Sequence, residues 1–226
     1  MDKRLLTCAS LCKGNYVADI GTDHGYLSCY MVKNGMCEKA LACDVAEKPL
    51  ASAVKHIAEQ GLNDKINTLI SDGLQSVAYD GITDVVIAGM GGELISSILE
   101  KCDWIKNTDL SVNLVLQPMT KWDVLRKWLY ENGFQVTREE ACEEGRFVYS
   151  VMQVQYIGRK PDYKMDLKYL YCGLIDSSSD DGRKYIVRQA DRLITSGNGI
   201  MRNPQRYDLG LEMTELGNKL KSEYDK

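Results

Sequence analysis

Short, uniformly apolar runs alternate with helical patterns along the first two-thirds of the chain. Tyr16–Ile20 reads as a strand ending at Gly21, and Tyr26–Lys33 as a helix closed by Asn34-Gly35. Ala40–Cys43 is a second strand ending at Asp44, followed by a helix that Pro49 opens and Gly61 closes. Ile66–Ile70 gives a third strand running into Ser71-Asp72-Gly73. Asp84–Ala88 gives a fourth, followed by Gly89-Met90-Gly91-Gly92 and a helix from Glu93. Val112–Leu116 is a fifth, stopped by Gln117-Pro118, and Lys121–Asn132 is a helix ending at Gly133. Strands that are apolar throughout, rather than alternating, need cover on both faces. This predicts a parallel sheet with helices on each side, a doubly wound α/β core.

The pattern then changes. Phe134–Thr137 and Phe147–Ile157 read as strands separated by the acidic stretch Glu139–Gly145, with no helical pattern between them, so the pair is expected to be antiparallel. Five parallel strands finished by an antiparallel pair resemble the class I (Rossmann-like) methyltransferase core. From Gly158 onward the chain reads as helix. Leu167, Leu170, Tyr171 and Leu174 share a face; Val187, Ala190, Leu193 and Ile194 repeat it after a break over Ser177–Gly182. Leu209, Met213, Leu216 and Leu220 form a last stripe, and Gly197-Asn198-Gly199 with Pro204 marks the expected turn of an antiparallel helical hairpin. The expected division is residues 1–157, with the sheet and a short N-terminal helix, and residues 158–226, a small helical domain.

Composition narrows the partners. The 226 residues carry 28 Lys+Arg against 32 Asp+Glu, a net charge of −4, which excludes an overall basic nucleic-acid coat but not a local basic face. Residues 158–226 hold 13 basic and 11 acidic residues, and Lys184, Arg188 and Arg192 recur every fourth position. No apolar run approaches the roughly 18 residues of a membrane span. Met1–Cys12 weakly mimics a signal peptide, but Lys13 cuts it short and it reads as a mature helix. Eight cysteines without a close CxxC pair, and only His24 and His56 beside them, argue for reduced thiols in a cytoplasmic protein and against a metal site. The chain is expected to act as a monomer.

The candidate chemistry lies at the ends of the first strands. Asp19-Ile20-Gly21-Thr22-Asp23-His24-Gly25 follows a strand and opens a helix. A dinucleotide would put its pyrophosphate there, but Asp23 in place of the usual second glycine would repel it. S-adenosylmethionine has no phosphate, and its ammonium group would pair with an acid such as Asp19 over the Gly21 turn. Asp44, 23 residues beyond Gly21, stands where an acid accepts from ribose hydroxyls, with Val45 beside it. Asp72, followed by Gly73, stands where an acid accepts from an adenine amino group; an ordinary Asp-Gly turn is the bland alternative. Three acids at three adjacent strand ends say more than any one of them, because ligands of open α/β sheets bind at that edge.

Asp19–Leu27, Ala88-Gly89-Met90-Gly91-Gly92 and Leu116-Gln117-Pro118 together resemble the bacterial tRNA (adenine-22-N1)-methyltransferase family. The resemblance implies methyl transfer from S-adenosyl-L-methionine to N1 of one adenosine in the D-arm region of tRNA, by a class I core with a coiled-coil-like helical C-terminal domain. It makes Asp19, Gly21, Asp44, Val45, Asp72, Gly73, Gly89 and Gly91 the cofactor-binding candidates. Asp23, His24, Tyr26 and Met90 become the candidates around the transfer, and Gln117, Pro118, Lys184, Arg188 and Arg192 those for the tRNA. Glycines at 89 and 91 suit N1, whose in-plane lone pair needs no activation, where enzymes acting on exocyclic amines often carry Asn or Asp followed by prolines. A methyltransferase for another RNA site or for a small molecule, a nicotinamide oxidoreductase and a non-catalytic RNA-binding module are the alternatives.

Overall fold

The protein is described by a computed structural model covering residues 1–225. Helix α1 (Lys3–Leu11) leads into β1 (Tyr16–Ile20), α2 (Tyr26–Lys33), β2 (Lys39–Asp44), α3 (Glu47–Glu59) and β3 (Ile66–Ile70). After these come β4 (Asp84–Gly91), α4 (Gly92–Glu100), β5 (Asn113–Thr120), α5 (Trp122–Glu131), β6 (Phe134–Glu144) and β7 (Phe147–Tyr156). Three helices close the chain: α6 (Leu167–Cys172), α7 (Asp180–Ile200) and α8 (Tyr207–Tyr224). The sheet order is β3-β2-β1-β4-β5-β7-β6, with β7 antiparallel to both its neighbours. This is the expected class I methyltransferase architecture. The order reverses between β1 and β4, and that switch point opens a crevice at the carboxyl edge.

Both faces of the sheet are buried, as the unbroken apolar strands require. Ala18, Ile20, Val85, Ile87, Leu114 and Leu116 pack with Ile95, Leu99, Leu125 and Leu129 of α4 and α5. Their neighbours Val17, Val86 and Val115 pack on the opposite face with Leu11, Leu27, Met31 and Ile57 of α1, α2 and α3. Asp84 is buried at the start of β4 and costs little, because Lys13 N–H, Gly14 N–H, the Thr83 hydroxyl and the Asn113 amide all donate to it. These bonds fix the link from α1 to β1.

Several expectations are corrected. The acidic residues 139–144 are strand and not loop: β6 runs to Glu144, with the turn at 145–146, and pairs with β7 as far as Glu144↔Phe147. It is an edge strand, where charge is tolerated and blunts further pairing, so its apolar pattern is weak. Strand β5 passes through Pro118 to Thr120, which is possible because β7 leaves it at Leu116↔Met152. Helix α7 continues through Gly197-Asn198-Gly199, and the turn lies at residues 201–206. Gly197 serves close approach instead of chain reversal: a Cβ there would stand 2.4 Å from Thr214 Oγ1 and 2.6 Å from the Gly210 carbonyl of α8.

The buried stripe of α8 is accordingly Gly210, Met213, Gly217 and Leu220, while Leu209 is exposed. Helix α6 stops at Cys172, leaving Leu174 outside it and exposed. The helical hairpin has its own small core of Cys172, Ile186, Ala190, Leu193, Met213 and Leu220. It is nonetheless fastened to the sheet. The fully buried Arg126 of α5 pairs with the equally buried Glu139 of β6. Arg126 also donates to the Leu170 and Tyr171 carbonyls (2.8 and 3.1 Å) and to Tyr185 of α7 (3.0 Å).

Candidate active site

The three acid-bearing strand ends are knitted together by backbone. Gly21 and Thr22 N–H groups donate to the Cys43 carbonyl (2.8 and 2.9 Å), and Ser71 N–H donates to the Asp44 carbonyl (2.9 Å). Gly21 has φ +78°, a conformation that costs an L side chain about 1–2 kcal/mol. A Cβ on it would also lie 2.4 Å from the terminal methyl of Met90, so the half-buried Met90 is packed over the turn. A crevice of about 250 Å³ opens here, lined by Arg4, Asp19, Gly21, Asp23, Tyr26 and Gly89 among others.

Asp19 lies at the base of the crevice and is only 5% exposed. Its Oδ2 accepts from the Thr22 and Ser28 hydroxyls (2.7 and 3.2 Å), while Oδ1 has no protein donor among the described residues. Burial pushes its pKa up; the two hydroxyls oppose the shift and the Asp44 carboxylate adds to it. The site therefore holds an acid whose charge is incompletely compensated, which favours a ligand that brings a positive group.

Asp44 is half-buried, and its Oδ1 accepts from Ala46 N–H (2.8 Å), while Oδ2 has no protein donor among the described residues. Val45 beside it is an exposed apolar side chain, 66% accessible. Asp72 is exposed and Oδ2 accepts from the Gln75 amide (2.8 Å). Asp44 and Asp72 thus stand at the next two strand ends along the sheet, outside the lining of the crevice itself. Gly73 backs onto α4 instead: its φ is +59°, and a Cβ would stand 2.8 Å from Ile98. Gly91 caps α4 with Thr120 close behind it.

The outer rim is polar and aromatic. Asp23 (φ +50°) is exposed, with His24 Nε2 3.7 Å from its carboxylate. Tyr26 is 49% exposed, so it is no core aromatic; its ring lies 5.3 Å from His24 and 5.0 Å from His56. His56, on α3, is a rim residue that the sequence pattern did not single out.

Arg4 was also missed. It comes from the first turn of α1, and its guanidinium donates to Gln117 Oε1 (2.8 Å) and pairs with Asp2 (3.2 Å). Gln117 Oε1 also accepts from Gly89 N–H (3.0 Å), and its amide nitrogen donates to the Pro118 carbonyl (3.0 Å). With 0% exposure and both ends of its amide occupied, Gln117 cannot contact a substrate directly. The expected contact is replaced by a positioning role toward Arg4 and Gly89. The only sequence sign of Arg4 is one charge among Asp2, Lys3 and Arg4 ahead of an apolar helix, to which composition assigns no chemistry.

The expected basic stripe is partly spent. Lys184 pairs with Glu143, Arg188 donates to the Arg146 carbonyl, and the Arg192 guanidinium lies 4.1 Å over the Trp122 ring. The stripe therefore faces the β6–β7 hairpin and α5 rather than standing apart from the sheet. Among the described residues, no group of three or more His, Cys, Asp or Glu could hold a metal ion, and no helix is long and apolar enough to cross a membrane.

Residues 1–152 match the model of a family described as a methyltransferase domain. A Bacillus subtilis (strain 168) tRNA (adenine(22)-N(1))-methyltransferase is 34% identical over 165 residues, covering 72% of this chain and 68% of that protein. The chain belongs to the tRNA (adenine-22-N1)-methyltransferase family. The crystal structure of the B. subtilis m1A22 tRNA methyltransferase TrmK superposes on this methyltransferase with a TM-score of 0.83, at 27% identity and with 97% and 98% of the two chains covered. The structure of M. capricolum TrmK in complex with S-adenosyl-homocysteine gives a TM-score of 0.77 at 27% identity, covering 100% and 98%. The helical end of the methyltransferase is thus shared along with its sheet.

Proposed function

We propose that this methyltransferase transfers a methyl group from S-adenosyl-L-methionine to N1 of adenosine 22 in tRNA. The observation that carries the reading is the buried Asp19, with one oxygen free, beneath the left-handed Gly21 turn. A cationic amino-acid end fits that cradle, and a pyrophosphate, facing Asp19 and Asp23, does not. Asp19 would hold the ammonium group and the free oxygen of Asp44 a ribose hydroxyl. Val45 would lie against the adenine and Asp72 would accept from its amino group. Gly89, without a side chain, leaves the approach to the crevice open, Gly91 caps α4 behind it, and Gln117 fixes Gly89 and Arg4 at the rim.

When bound, S-adenosyl-L-methionine would supply an electrophilic methyl group to the in-plane lone pair of N1, with the S–CH3 bond breaking and S-adenosyl-homocysteine leaving. The protein's part is placement. Proximity and alignment of a well-held pair are worth on the order of 7–11 kcal/mol. Tyr26 and Met90 would contact the base. Asp23, beside His24 at the mouth, would accept from the adenine amino group as positive charge passes to the ring. Residues 1–157 act as the cofactor-binding domain, and residues 158–226 as the helical domain through which tRNA is gripped. The reading makes the chain a cytoplasmic monomer with tRNA as its macromolecular partner.

The test is methyl transfer from labelled cofactor to unmodified tRNA, with the modified position mapped and A22 then replaced by guanosine. Incorporation that is unaffected by the replacement, or absent from tRNA, would refute the reading. As a first check, S-adenosyl-homocysteine should raise the Tm of the protein and NAD should not.

A further inference from the structure

Next to the crevice, on the other side of the β5 end, lies a second cleft of about 340 Å³ between β5, β7 and α7. Its walls include Met119, Trp122, Phe147 and Tyr149, with Arg188 and Arg192 along one side. Phe147 and Met119 are exposed, and the Phe147 ring lies 6.0 Å from that of Tyr149. These cations differ from their neighbours on the β6 edge and α7. Most side-chain cations around the β6 edge and α7 are matched: Lys3 with Asp181, Arg138 with Glu140, Arg183 with Asp180, Lys184 with Glu143. Among the described residues, Arg146, Arg188 and Arg192 have no carboxylate within 4.0 Å. Arg192 rests on the Trp122 ring (4.1 Å), Arg146 on the Phe147 ring (4.9 Å), and Arg188 bonds only a carbonyl.

We propose that this cleft is a nucleotide subsite that holds an unpaired nucleotide flanking the acceptor adenosine, its base against Phe147 and Tyr149 and its phosphates on Arg188 and Arg192. The inference rests on the tRNA reading above and deepens it. An aromatic wall beside unmatched guanidiniums is the pairing that single-stranded nucleic acid demands, since bases stack without regard to sequence and phosphates need cations. An apolar peptide would leave three positive charges without partners. The location agrees: Pro118 and Thr120, which line the cleft, pair in the sheet with Met90 and Gly91. One strand end therefore separates the cleft from the transfer site, so a chain lying across it would place neighbouring nucleotides in the two.

The test combines protein and RNA substitutions. tRNA transcripts with an abasic nucleotide at each position flanking the acceptor are bound to and methylated by the wild type, Phe147→Ala, and the Arg188→Gln/Arg192→Gln pair. One abasic position should raise the wild-type Kd and KM for tRNA about tenfold. Phe147→Ala should raise them by a similar factor and then be indifferent to that abasic site. The double arginine variant should weaken tRNA binding and make it less salt-dependent, by about 0.7 in log–log slope for each lost phosphate contact to a single strand. Stabilisation by S-adenosyl-homocysteine should persist in each variant, which separates a lost subsite from a lost fold. Should Phe147→Ala fail to fold, Phe147→Leu keeps the bulk and removes the ring. Wild-type tRNA affinity in these variants, an unchanged abasic penalty, or binding of free AMP in the cleft with no effect on tRNA would overturn the proposal. Cleft-dependent tRNA binding without methyl transfer would refute the activity and leave the subsite standing.

Discussion

Replacing Arg126 with methionine tests whether the helical domain is held to the sheet by one buried ionic node. The guanidinium and the Glu139 carboxylate are both 0% exposed, so neither can be rescued by water in place. Burial works against the Arg126 charge, but Glu139 and Tyr185 outweigh it and hold its pKa above the ordinary value. Arg126→Met strips Glu139 Oε1 of its donor, leaving only Leu174 N–H on Oε2 (2.9 Å), and it orphans the Leu170 and Tyr171 carbonyls. Breaking a buried pair from one side costs about 3–5 kcal/mol, and each orphaned group adds about 1–3 kcal/mol before relaxation. A net loss of about 5 kcal/mol would remove a third or more of a typical domain's 5–15 kcal/mol. Urea unfolding followed by tryptophan fluorescence and by circular dichroism reads the loss directly. The double variant Arg126→Met/Glu139→Met should recover at least about 2 kcal/mol of it, because a buried pair replaced by apolar groups of similar volume is often neutral. Hydrogen exchange should also quicken in α6 and α7 of the single variant. A single variant within 1 kcal/mol of wild type, or a double variant no better than the single, would refute the node.

Cofactor affinity should depend on pH through Asp19. Its pKa is raised by burial, so S-adenosyl-homocysteine binding, measured by calorimetry between about pH 4 and 8, should weaken as pH falls through that raised value, and Asp19→Asn should bind poorly and flatten the profile. The sign reverses for the ligand-free protein, which should gain stability as pH falls from the folded toward the lower unfolded pKa of Asp19, since folding then favours the protonated acid. Asp23→Ala should cut kcat about tenfold while leaving the S-adenosyl-homocysteine Kd nearly unchanged; equal loss of both would move Asp23 into the cofactor site. Gly197→Val would set side-chain carbon against Thr214 and the Gly210 carbonyl, and should cost about 1–3 kcal/mol in urea unfolding and expose α8 to trypsin; wild-type stability would mean the two helices can separate freely.

The sheet was legible because its strands are apolar on both faces, which leaves one architecture open to them. The acids followed from the sheet, since each ends a strand that the pattern had already located. What the sequence hid depends on partners far along the chain. Glu139–Glu144 looks like a loop until Arg126 is seen to neutralise Glu139 from 13 positions away. Gly197 looks like a helix stop until Gly210 and Thr214 are found against it. Val187 and Leu209 were placed on buried stripes by spacing alone, while the helices meet along glycines that no hydrophobic pattern registers. Gln117 follows the apolar run of β5, but nothing in its neighbourhood announces Arg4 as its partner.

The N-terminal turn shows why the two parts of this methyltransferase should be considered together. Lys3 and Arg4 are adjacent in the chain but serve different units. Lys3 reaches Asp181 in the first turn of α7 (2.6 Å), and its backbone N–H donates to Glu144 at the tip of β6 (2.7 Å). Arg4 turns to Gln117, which in turn holds Gly89 at the mouth of the crevice. The exposed Lys3–Asp181 pair contributes little energy alone. Its position matters more, because α1 thereby touches the crevice and the base of α7 within one helical turn. The Arg126 node fixes the same helix from the opposite face of the sheet. With α7 held at both places, the cleft beside Arg188 and Arg192 keeps a set distance from the crevice at Gly21. That fixed spacing is what an enzyme needs if it grips a polynucleotide at one point and modifies it at another.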